Sequence, residues 1–108
     1  IAAKPGERIR IVLRAMGKVP KVAMAHNVVI LEKGTDVKAF VNASARTRDT
    51  GFVAPAFAKQ IIAKTPLAGA GETVQVTFTV PAARGRYDFL CSFPGHYASG
   101  MRGTLVVK

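Results

Sequence analysis

The stretch from Tyr87 to Met101 reads YDFLCSFPGHYASGM. It holds the only cysteine, Cys91, then His96 five residues on and Met101 five beyond that. The other histidine of the chain, His26, lies far upstream in MAHN. One thiolate, two imidazoles and one thioether form a donor set for copper. Cu(I) prefers soft ligands and low coordination, whereas Cu(II) prefers nitrogen and tetragonal geometry. The mixed set suits both states, so little has to move when a single electron passes.

Each residue alone has a plainer reading. A lone buried Cys is a small hydrophobe, and a lone Met fills core. A lone His is more often a satisfied core or surface residue than a ligand. The combined spacing across a Pro-Gly turn, with an upstream His followed by Asn27, favours the metal. Zinc also binds Cys and His, but a structural zinc site takes four Cys or His ligands and has no use for Met. Met16 and Met24 receive no ligand role; Met24 is expected to cover the site as an apolar neighbour.

The elements around these residues must position them. Cys91 is expected at a strand end, which fixes the direction of its side chain. Ser92-Phe93-Pro94-Gly95 is a turn whose Pro and Gly double the backbone back and bring His96 round. Tyr97 to Gly100 turns again and delivers Met101 ahead of a last strand, Gly103 to Val107. His26 arrives from a different part of the sheet.

Upstream, Glu7 to Ala15 alternates, with Ile9, Ile11 and Leu13 on one face and Arg8, Arg10 and Arg14 on the other, as in a half-buried strand. Gly17 to Lys21 reads as a loop. Asn27 to Leu31 reads as a buried strand. Thr35 to Ala45 fits a short helix, capped by Thr35 or Asp36 with Val37, Phe40, Val41 and Ser44 on one face. An alternating strand is the other option there. Arg46 to Pro55 reads as a surface loop, and Lys59 to Lys64 as a short strand. Thr73 to Val80 alternates cleanly, and Arg86 to Cys91 puts Tyr87, Phe89 and Cys91 on one face. Short strands with Gly and Pro turns and little helix predict an all-β sandwich, with a helix or loop insertion around 35–60.

A chain of 108 residues is one domain by length, here 1–108, and can build a core without disulfides. A hydrophobic content of 49% with 20% charged residues is that of a globular protein. No apolar run reaches the ~18 residues that a membrane span needs. One cysteine excludes an internal disulfide and chooses no compartment. The chain begins at Ile1 and not Met, as expected of a processed or trimmed product. The net charge of +10 favours acidic partners and speeds encounter with them. Nucleic acid is disfavoured as a partner, because basic residues form no run of five or more and do not interleave with aromatics.

The residues resemble those of the cupredoxins, in particular azurin and auracyanin. The azurin pattern Gly-x-x-Pro-Lys leading to Met-Gly-His-Asn is matched by Gly17-Lys18-Val19-Pro20-Lys21 leading to Met24-Ala25-His26-Asn27. The pattern Cys-Thr-Phe-Pro-Gly-His, a short loop to Met, then Lys-Gly-Thr-Leu is matched by Cys91-Ser92-Phe93-Pro94-Gly95-His96 and Met101-Arg102-Gly103-Thr104-Leu105. The resemblance runs from about Lys4 to the C-terminus.

The resemblance implies a Greek-key sandwich, the cupredoxin fold. It implies that His26, Cys91 and His96 bind one type 1 copper ion in a plane, with Met101 on the axis. The Ala25 carbonyl would approach the metal weakly, where azurin has Gly. Asn27 would tie the two ligand loops together, and the amide of Phe93, after Ser92, would donate to the Cys91 sulfur. Three departures stand out. The loop from His96 to Met101 is one residue longer than in azurin and matches auracyanin. Val28 replaces azurin's buried Trp. The N-terminal disulfide is absent, and the family's first strand is missing or shortened.

The implied function is that of a small electron carrier and not an enzyme. Its port would be His96, inside an apolar patch of Val19, Pro20, Met24, Phe93, Pro94 and Tyr97. Its partners would be redox proteins with an acidic surface, such as a c-type cytochrome or an oxidase domain. The expected location is periplasmic or extracytoplasmic in a bacterium, with membrane association through a segment ahead of Ile1 as one option. The alternative function is an electron-relay domain cut from a larger redox enzyme or membrane-tethered protein. A metal-free sandwich that binds acidic partners is the third reading.

Overall fold

The computed structural model describes residues 1–108. Seven strands and one helix follow in order: β1 Ala2–Ala3, β2 Arg8–Arg14, β3 Val29–Leu31, α1 Val37–Ser44, β4 Ile61–Lys64, β5 Thr73–Thr79, β6 Gly85–Leu90 and β7 Arg102–Val107. Five of them make one sheet in the order β1-β7-β6-β3-β4, and β2 pairs with β5 in a second. β1 contributes two residues, which pair in parallel with Val106 and Val107.

The alternation of β2 and β5 is what a two-layer structure requires. Their exposed arginines and threonines face water. Ile9, Ile11, Val76 and Phe78 turn inward onto Ile30, Tyr87, Leu105 and Val107 of the other sheet. β3 has no polar face. Ile30 points between the sheets, while Val29 and Leu31 point outward under the helix. A strand buried on both faces reads as a continuous apolar run, as Val28 to Leu31 does.

α1 covers that outer face. Asp36 caps it, its Oδ1 accepting from the Ala39 N–H at 3.1 Å. Phe40 and Ser44 are buried, and Val37 and Val41 pack on Val29, Leu31 and Leu90. The helical option for residues 35–45 therefore holds. The segment expected as a surface loop, 46–55, turns inward instead. After one 3-10 turn at Arg48–Thr50, Phe52, Val53 and Ala54 are buried. The Ser44 hydroxyl anchors it by accepting from the Ala54 N–H at 3.0 Å. A second 3-10 segment, Pro55–Gln60, delays β4 to Ile61.

Two outcomes follow from this packing. Phe40→Ala empties the space between helix and sheet, and is expected to cost about 3–5 kcal/mol in denaturant unfolding. Glu72 accepts from the Gly69 N–H at 2.6 Å and pairs with Lys21 at 3.1 Å. The amide first, and Lys21 second, hold its carboxyl below the usual range. A lowered folded pKa gives stability that is complete above the ordinary Glu range and lost as pH falls through the folded value. Glu72→Gln should melt below wild type at pH 7, and thermal melts of the two should converge in acid.

Candidate metal centre

His26, Cys91 and His96 converge at one end of the sandwich. Their ligand atoms all lie within 4.8 Å of one another. Cys91 Sγ stands 3.4 Å from His96 Nδ1, and the two imidazole rings are 4.8 Å apart between centroids.

Backbone geometry produces this convergence. β6 ends at Leu90, and the Cys91 N–H donates to the Met101 carbonyl at 3.0 Å, which carries the ladder one residue further. The turn then closes with His96 N–H donating to the Phe93 carbonyl at 3.1 Å. Gly95 (φ 85°) and Gly100 (φ 102°) supply the left-handed corners. Met101 N–H donates to the His96 carbonyl at 3.0 Å, so the loop returns to the strand it left. His26 is held by a two-bond bridge to Ala68, with N···O distances of 2.9 and 2.7 Å.

The two ligand segments are joined by Asn27 and Ser92. Asn27 Nδ2 donates to Ser92 Oγ at 2.9 Å, and the Ser92 N–H donates back to Asn27 Oδ1 at 2.8 Å. Both residues are buried, so the pair is shielded from water.

Cys91 is 3% exposed. Burial pushes its thiol pKa up, and the backbone amides of Asn27 and Phe93 pull it partly back down. Those two amides favour the thiolate, and a bound cation would complete the shift. Burial first, and the charge of His26 second, lower the pKa of His96, which keeps its imidazole in the neutral form that binds metal. His26 Nδ1 is buried with no hydrogen-bond partner. Such an orphan costs about 1–3 kcal/mol unless something satisfies it. A metal ion among these donors would satisfy it, and no protein group does.

Of the residues singled out in the sequence, His26, Cys91 and His96 meet directly, and Asn27 and Ser92 link their segments. Ala25 is fully buried beside His26, Phe93 stacks on the His96 ring at 4.9 Å, and the Met101 backbone is fastened between Cys91 and His96. Phe52 is a neighbour that spacing did not reveal. It is the only non-glycine residue with positive φ, 60°, a conformation that costs about 1–2 kcal/mol. Its ring meets Phe93 edge-on at 5.1 Å. Phe52 thus backs Phe93, which in turn backs a ligand.

The chain is similar to known proteins in sequence and fold. The family of copper binding proteins, plastocyanin/azurin family, matches residues 1–108. Auracyanin-B of Chloroflexus aurantiacus is 44% identical over 87 residues, covering 80% of this chain and 37% of that protein. Azurin of Alcaligenes faecalis is 36% identical over 107 residues, covering 97% of this chain and 82% of the relative. A solved structure of auracyanin B superposes with a TM-score of 0.82 at 36% identity, covering all of this chain and 76% of that one. The chain thus spans well under half the length of auracyanin-B and most of the Alcaligenes azurin. The chain belongs to the plastocyanin/azurin family of copper-binding proteins, and the cofactor its converging donors fit is one copper ion.

Proposed function

We propose that residues 1–108 form one electron-transfer domain and that it catalyses no reaction of its own. The observation that carries this is the meeting of one buried thiol and two imidazoles within 4.8 Å, with a buried His26 Nδ1 that no protein group satisfies. His26, Cys91 and His96 would hold the ion strongly. Met101 would serve as the weak fourth ligand, and the Ala25 carbonyl as a further weak contact. That carbonyl is buried and accepts no hydrogen bond from the chain. Bound copper would supply the one-electron Cu(I)/Cu(II) couple. The residues around it keep water from the sulfur and hold both rings in place.

His96 is the proposed port. Of the residues proposed for its patch, Val19, Pro20, Met24 and Pro94 are exposed, and Phe93 and Tyr97 are partly so. An apolar patch of this kind gives a weak contact that dissociates quickly. The net charge of +10 would steer a redox partner with an acidic surface towards it. No helix is long and apolar enough to cross a membrane. Kinship with azurin and auracyanin supports a periplasmic or extracytoplasmic location. The account is the same whether the domain acts alone or as the relay of a longer redox protein.

Adding Cu(II) to the metal-free protein should produce an intense visible charge-transfer band. Cys91→Ser should abolish the band, and His26→Ala should weaken or remove it. A wild-type protein that stays colourless, and whose melting temperature ignores copper, would contradict the reading.

A further inference from the structure

Buried donors raise the question of how an ion reaches them. Cys91 is 3% exposed, and His26 Nδ1 is sealed from solvent. Methionine normally fills cores, yet this chain keeps all three of its methionines on the surface. Met16 is 76% exposed, Met24 42% and Met101 38%. Met16 and Met24 belong to neither core cluster. They line one small cavity of about 50 Å³, and His26 forms part of its wall. A cavity needs only about 10–15 Å³ of such space to hold one water, so this one has room for an ion.

The chemistry of that cavity is selective. Two methionines are among its lining residues, and no Asp or Glu is. Hard divalent cations find no carboxylate there, whereas Cu(I) is soft and prefers sulfur. The electrostatics act in the same direction. The protein carries a net charge of +10, and Lys18 and Lys21 lie on the same loop. The opposing field acts twice as strongly on a divalent as on a monovalent ion.

We propose that Met16 and Met24 form a capture site for Cu(I), which holds the incoming ion beside His26 and passes it inward. This rests on the copper-centre reading above. Transfer is a ligand exchange. The copper–thioether bonds break as bonds to His26 Nδ1, Cys91 Sγ and His96 Nδ1 form. The Cys91 thiol releases its proton to water, the copper remains Cu(I), and no electron moves. His26 is suited to the hand-over because it borders the cavity and is also a donor of the final site.

Leucine keeps the size and apolar character of methionine and removes its sulfur, so it separates this role from partner docking. Metal-free wild type and the Met16→Leu/Met24→Leu variant would be mixed with the Cu(I) bicinchoninate complex without oxygen, and loss of the complex's colour followed. The variant should take up Cu(I) about tenfold more slowly and Cu(II) at the wild-type rate. Equal Cu(I) rates would overturn the proposal, as would equal slowing with both ions. Direct binding gives a second test. A Cys91→Ser/His96→Ala protein, whose final site is disabled, should still bind one Cu(I) with sulfur neighbours in X-ray absorption. Adding Met16→Leu and Met24→Leu should abolish that binding, and its survival would overturn the assignment. A wild type that never turns blue with Cu(II) would remove the centre itself, a failure distinct from either of these.

Discussion

The metal centre depends on two hydrogen bonds between residues 65 positions apart in sequence, Asn27 and Ser92. Each residue adjoins a ligand: Asn27 follows His26, and Ser92 follows Cys91. Because the amide both donates and accepts, neither residue can move without breaking both bonds. Burial raises the stakes. A net hydrogen bond contributes about 1 kcal/mol, but a buried polar group left unpaired costs about 1–3 kcal/mol. The pair fixes the segments of His26 and Cys91 relative to one another.

The rest of the fold supports that pair. β3 is packed on both faces and leads directly out of Asn27, so the upstream ligand sits at the root of the most buried strand. β6 and β7 are neighbours over six register pairs, and the ligand loop merely closes the gap between their ends. The helix and the inward-turned segment behind it fill the outer face and send Phe52 against Phe93. Rigidity of this kind is what a one-electron site requires, because ligand movement on each transfer would raise the barrier. The electrostatics are consistent with it: the thiol is destabilised as an anion by burial, and its two amide contacts wait on a cation.

Much of this was legible in the sequence because it rests on rare residues and simple periods. One Cys and two His leave few ways to build a site. The alternation of Ile9, Ile11 and Leu13, and of Val74, Val76 and Phe78, states the strand period without ambiguity. The link between Asn27 and Ser92, and the place of Phe93 at the sulfur, follow only from resemblance to azurin, since an isolated Asn or Ser carries no signal of what it pairs with. The inward turn at Phe52 was hidden. Its neighbours Arg48, Asp49, Thr50 and Gly51 have the composition of a surface loop, and the burial comes from a left-handed backbone that propensity disfavours. The start of β4 was blurred because Pro55 to Gln60 has no period of its own. The role assigned to Met16 and Met24 required knowing that they share a cavity with His26.

The central claim is that the donors are assembled by the protein and not by the metal. Crystal structures of the metal-free, Cu(I) and Cu(II) forms test it most directly. The account predicts that the Asn27–Ser92 bonds, 2.8 and 2.9 Å here, persist in all three. It also predicts that the ligand atoms of His26, Cys91 and His96 remain as close as the 4.8 Å found here. A metal-free form with those bonds broken and the two ligand segments apart, closing only around copper, would contradict it.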